Sequence, residues 1–155
     1  MRNPSNLRLS RFPRLENGER PLQLADLETP APIVDLDLLS QNLERMASYT
    51  ALHSLALRPH VKTHKSAGIA AEQMERGATG LTCATLREME VMGDVAGDLL
   101  LAYPPVGDAR LARLLSLPEG VNAIVSLDSA FAVEQLAINA RAAQKPIGVY
   151  VEIDL

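Results

Sequence analysis

Twelve arginines stand against three lysines in this 155-residue chain, and two of the three, Lys62 and Lys65, fall within four residues of each other. The scarcity matters because lysine has a chemistry that arginine lacks. Its amine can lose a proton and form an imine with an aldehyde, whereas a guanidinium stays charged. Both lysines lie in the run Arg58-Pro59-His60-Val61-Lys62-Thr63-His64-Lys65, which also holds two of the three histidines. Three readings of this run compete. In the first, Lys62 is an imine-forming lysine, its neutral form favoured by partial burial and cationic neighbours. In the second, His60 and His64 are metal ligands, although no H-E-x-x-H is present and no third ligand stands near in sequence. In the third, the run is an exposed basic loop without chemistry.

The elements around the run decide how it is presented. Residues 54–62 read as a strand, on which alternation puts Arg58, His60 and Lys62 on one face and Leu57, Pro59 and Val61 on the other. Lys62 then sits at the carboxyl end of that strand, the end that faces the active site in parallel α/β proteins. Upstream, APIVDL at 31–36 reads as a short strand with Asp35 at its end, and Asp37 as the cap of a helix over 38–52. Downstream, a helix over 66–77 ends at Gly77, and GLTCA at 80–84 is a buried strand. Thr85 with Glu88 three positions later forms a capping box that opens the next helix. Further strands are expected at 98–104, 121–128 and 146–155, with helices over 107–116 and 129–143 between them.

From residue 54 onward this is five strands separated by four helices, a pattern that demands parallel pairing through right-handed crossovers. A doubly wound sheet and a (β/α)8 barrel both fit. None of the nine glycines forms a G-x-G pair and no phosphate-loop motif is present, which favours the barrel.

Composition narrows the function classes. A net charge of −4, 3% aromatic residues and no tryptophan argue against nucleic acid as a partner. A single cysteine, Cys83, excludes a disulfide framework and reads as a small buried thiol. No apolar run approaches the roughly 18 residues of a membrane span, so no membrane partner is expected and the default compartment is cytoplasmic. Residues 1–27 read as a flexible leader, rich in arginine and broken by Pro4 and Pro13.

The segments TPAPIVDLDLLSQNLERMA, LRPHVKTHKS and GLTCATLREMEVM, in that order, resemble the D-threonine aldolase and D-serine dehydratase family. These are pyridoxal-phosphate enzymes of fold type III, with an alanine racemase-like N-terminal barrel. The resemblance runs over residues 28–155 and implies an incomplete cofactor-binding barrel domain, about five of eight strands. It also implies that strand 31–36 leaves the barrel to pair with a C-terminal β domain that this chain does not hold. In that family the first lysine of the motif carries the cofactor aldehyde as a Schiff base. That position is Lys62 here, with Lys65 the runner-up and His60 and Arg58 placed near the cofactor by their shared strand face. Thr82 and Tyr103 fall at strand ends near the barrel mouth, as does Asp154, which receives no role. The implied activity is that of a lyase acting on β-hydroxy D-amino acids, such as cleavage of D-threonine to glycine and acetaldehyde. D-serine dehydration, amino-acid racemisation, a non-catalytic cofactor-binding protein and an inactive truncated chain are the alternatives. Family members use a divalent metal, with ligands expected beyond Leu155, and a homodimer is implied for the full-length enzyme. A complete barrel takes about 250 residues, so the chain is expected to be the N-terminal part of such an enzyme.

Overall fold

The computed structural model describes residues 23–153. Helices and strands follow one another as α1 Leu36–Leu52, α2 Ala67–Glu75, β1 Leu81–Cys83, α3 Leu86–Met92, β2 Asp98–Leu101, α4 Asp108–Leu115, β3 Asn122–Leu127, α5 Ala130–Ala142 and β4 Gly148–Val151. Side-chain caps open four of the five helices. Asp35, Ser66, Thr85 and Ser129 each accept from amides of the first turn, groups that the helix itself leaves without partners. The first of these corrects the expectation of Asp37. The extended backbone of Asp35 brings its carboxylate to the amides of Asp37 and Leu38, both at 3.0 Å. Asp37 lies inside the first turn, where a carboxylate complements the helix dipole.

The strands form one parallel sheet in the order β1-β2-β3-β4. That unbroken order is the wall of a barrel; a doubly wound sheet reverses direction at a switch point. Alternation along each strand divides the two faces. Leu81, Cys83, Leu99, Leu101, Ala123, Val125 and Leu127 join Leu86, Met89, Met92, Leu111, Leu114, Ala132 and Leu136 in a single buried core between sheet and helices. Outside that core, on the face a closed barrel turns inward, the register aligns Thr82, Leu100, Ile124 and Gly148 in one row.

Two expected strands depart from this plan. Residues 54–62 run alongside β1 in parallel but make only one bridge, His60 to Thr82. The amide of Thr82 donates to the Pro59 carbonyl at 2.8 Å, and that of Val61 to the Thr82 carbonyl at 2.9 Å. The next ladder bond would need an N–H on residue 59, and proline has none, so the ladder stops there. Residues 31–35 form no strand, and Ile33 and Val34 are exposed. A strand needs a neighbour to take its backbone groups, and no ladder partner for it occurs among the described residues. The remaining strands are shorter than expected at their carboxyl ends, with β2 stopping at Leu101 before Pro104 and Pro105. Of the expected leader only residues 23–27 fall within the described part, and Leu24–Asp26 make a single 3-10 turn. Pro4, Pro13 and Asp154 lie outside the described residues.

Candidate active site

Lys62 follows directly on the bridge between residue 60 and β1, at the carboxyl end of the sheet. Val61 beside it is fully buried in the core and anchors the segment, while Lys62 itself is exposed rather than partly buried. The chain then turns sharply. The Lys65 amide donates to the Val61 carbonyl at 2.8 Å, and Lys65 takes a left-handed φ of 50°. Ser66 accepts from the Ile69 amide at 3.3 Å and starts α2. The His60 Nδ1 accepts from the Lys62 amide at 3.2 Å, and the His64 Nδ1 from the Ser66 amide at 3.1 Å. Each imidazole therefore carries its neutral-state proton on Nε2.

Burial pushes the pKa of His60 below the ordinary 6.5, and the nearby Lys62 charge pushes it the same way, against a smaller opposing pull from Glu88. Burial lowers His64 too, with Gln73 and Glu88 pulling part of the way back. Both rings are thus neutral at pH 7.

The three lysines have three different situations. Lys145 donates to the carbonyls of Leu115, at 3.0 Å, and Leu117, capping the end of α4. Lys65 places its Nζ 3.7 Å from Glu88 Oε1. Lys62 has no ion-pair partner among the described residues.

Glu88 is the site residue that sequence reasoning read only as a cap. Thr85 does accept from the Glu88 amide, at 3.2 Å, and the Glu88 carboxylate answers by accepting from the Ala84 amide at 2.7 Å. The second oxygen turns toward Lys65, and the charge reaches His60, His64 and Cys83. The signal was present in the sequence: a capping box directly after a barrel strand puts its acid at the barrel mouth.

The structure gives Arg58 a different employment from the cofactor contact expected of it. The guanidinium pairs with Asp98, the first residue of β2, and Asp98 also accepts from Asn122 Nδ2 at 2.8 Å. Gly80 makes room for this pair, since a Cβ there would stand 2.6 Å from Asp98 Oδ1. Arg58 lies four residues before Lys62, roughly 13 Å along an extended chain, at the amino-terminal floor of the sheet.

Thr82 lies on the inward face, with its hydroxyl donating to the Arg58 carbonyl at 3.3 Å. Cys83 is fully buried, and burial followed by the Glu88 charge pushes its thiol up to about 12. Tyr103 is exposed beside a groove of about 400 Å3 that Arg87, Arg110 and Arg113 also line. Among the described residues no three His, Cys, Asp or Glu side chains come together as a metal site, and His60 and His64 are engaged with separate backbone amides. No helix of the described residues is long and apolar enough to cross a membrane.

Over most of its length the chain is similar to known proteins. The D-threo-3-hydroxyaspartate dehydratase of Delftia sp. (strain HT23) is 35% identical over 132 residues, 84% of this chain and 35% of the relative. The D-threonine aldolase of an Arthrobacter species is 33% identical over 133 residues, 85% of this chain and 35% of the relative. The crystal structure of D-threonine aldolase from Filomicrobium marinum superposes with a TM-score of 0.80 at 38% identity, over 84% of this chain and 36% of that one. The chain thus spans about a third of the length of the relatives it matches. The model of the alanine racemase N-terminal domain matches residues 34–155. With most of its length and its barrel wall accounted for in this way, the chain belongs to the alanine racemase N-terminal domain family.

Proposed function

We propose that this chain carries the cofactor lysine of a pyridoxal-phosphate-dependent lyase that acts on β-hydroxy D-amino acids, of the D-threonine aldolase type. One observation carries the reading: of three lysines, only Lys62 is exposed and without an ion-pair partner among the described residues, and it stands at the carboxyl end of the parallel sheet. The residues fit the group. An aldehyde needs an accessible amine free of a carboxylate, and the imidazole beside Lys62 is held neutral and so does not compete for the cofactor's anionic groups.

The Lys62 amine would hold the cofactor through its aldehyde. Bound there, pyridoxal phosphate supplies an electron sink for the pair released when a bond to the amino acid's α-carbon breaks. His60 steadies the lysine's backbone through its Nδ1 and keeps an Nε2–H as a donor. Arg58 enters as a support, tying the strand that carries Lys62 to β2 through Asp98. A divalent metal, as the family resemblance implies, finds no built site among the described residues, and no step is assigned to one.

Borohydride reduction after incubation with pyridoxal phosphate tests the assignment. The pyridoxyl group should appear on Lys62 and vanish in Lys62→Ala; label confined to other positions would overturn it. The Delftia relative, a D-threo-3-hydroxyaspartate dehydratase, favours one second reading, dehydration of a D-3-hydroxy amino acid. A protein joining this chain to the remainder of the barrel separates the two, since cleavage yields glycine and an aldehyde while dehydration yields ammonia and a keto acid. The same reading takes a homodimer in the cytoplasm as the working form, which sedimentation and cell fractionation check.

A further inference from the structure

We propose that Glu88 selects which lysine condenses with the cofactor aldehyde, by holding Lys65 in an ion pair and leaving Lys62 free. The inference rests on the reading of Lys62 above and adds the device that excludes its neighbour. Both lysines are exposed, both belong to the same turn, and nothing in their intrinsic chemistry separates them. The reacting amine must be neutral. It adds to the aldehyde carbon, the carbon–oxygen bond breaks, and the oxygen leaves as water with the amine's two hydrogens. An ammonium held against a carboxylate must first lose that partner.

Geometry gives Lys65 such a partner. The Glu88 side chain is 8% exposed, and the Ala84 amide fixes one of its oxygens at 2.7 Å. The other oxygen faces Lys65 Nζ at 3.7 Å. The left-handed backbone of Lys65, closed by the bond from its amide to the Val61 carbonyl, directs the side chain back to the first turn of α3. His60, His64 and Cys83, the other groups that feel Glu88, are uncharged at pH 7 and do not compete for its charge.

The test compares wild type with Glu88→Gln, which keeps an oxygen for the Ala84 amide and removes only the charge. The purified chain is incubated with pyridoxal phosphate at fixed pH and reduced with borohydride, and the label on Lys62 and Lys65 is quantified by mass spectrometry. The Lys65-to-Lys62 ratio should rise about two- to fivefold in the variant, the span expected for a pair with one exposed partner. Because Lys65 is 68% exposed, rising salt should shift the wild-type ratio in the same direction and leave the variant unmoved. The salt series stands on its own if Glu88→Gln does not fold. Predominant label on Lys62 with a ratio that ignores both the substitution and salt would overturn the role of Glu88 and leave the Lys62 reading intact. Predominant label on Lys65 in wild type would overturn both.

Discussion

Gly80→Ala should destabilise the chain far more than an ordinary glycine substitution. A Cβ at this position would stand 2.6 Å from Asp98 Oδ1 and 2.7 Å from the Asp98 carbonyl oxygen, and it would also press on the Arg58 guanidinium. The carbonyl belongs to β2, which β1 and β3 hold on either side, so it cannot retreat without moving the strand. Overpacking of this kind costs about 1–3 kcal/mol. Weakening the Arg58–Asp98 pair, a charge-assisted bond with both side chains mostly covered, adds about 1 kcal/mol. The sum, about 2–4 kcal/mol, corresponds to a fall in Tm of roughly 5–15 °C for a chain of this size. Gly120→Ala is the matched control, because a Cβ there meets nothing within 4 Å. Thermal melts by circular dichroism, run side by side, give the comparison. If Gly80→Ala melts within a degree or two of Gly120→Ala, the Arg58–Asp98 pair does not cross above residue 80 and the account of the barrel floor fails. Adding Arg58→Met to Gly80→Ala should recover only part of the loss, because the backbone clash persists.

Three further outcomes are expected. His60 and His64 both have folded-state pKa values below 6.5, so the unfolded chain binds more protons as pH falls through that value. Stability should therefore decline on acidification from pH 7.5 to 5.5, and urea unfolding of a His60→Gln, His64→Gln double variant should show a flatter profile; an unchanged profile would remove the histidines as the cause. Cys83, buried and raised to about 12, should resist iodoacetamide at pH 8 until urea exposes it, whereas rapid native labelling would contradict its place in the core. Thr85→Ala should cost about 1 kcal/mol by removing the N-cap of α3, with Thr85→Ser close to wild type in urea midpoint.

Much of the fold is local chemistry and could be read directly. Ser66, Thr85 and Ser129 announce helix starts because each cap acts within three residues of itself. Alternation is plain in β2, where Leu99 and Leu101 are buried between the half-covered Asp98 and Leu100, whereas β1 is buried on both faces. What escaped depends on partners distant in sequence. The isolated bridge at His60 follows from Pro59, whose missing N–H was visible, but the consequence appears only once β1 lies alongside. The pairing of Arg58 with Asp98, 40 residues on, needs the register of two strand junctions and an empty Cβ position at Gly80. Strand alternation puts Arg58 on the same face as His60, yet a face has two ends, and alternation does not say which end a long side chain serves.

The candidate site shows the same division more sharply. Scarcity of lysine points to residues 58–65, and no structure is needed for that step. Choosing between Lys62 and Lys65 is different, because the choice rests on what each amine faces. Lys65 faces a carboxylate held at the cap of α3, on a segment more than twenty residues downstream. A capping box usually concerns only the helix it opens. Here the crossover brings that box beneath the turn that carries both lysines, so a device that starts a helix also sets a charge at the barrel mouth. On the reading proposed above, composition narrows the choice to two lysines and the position of one glutamate separates them, by occupying Lys65.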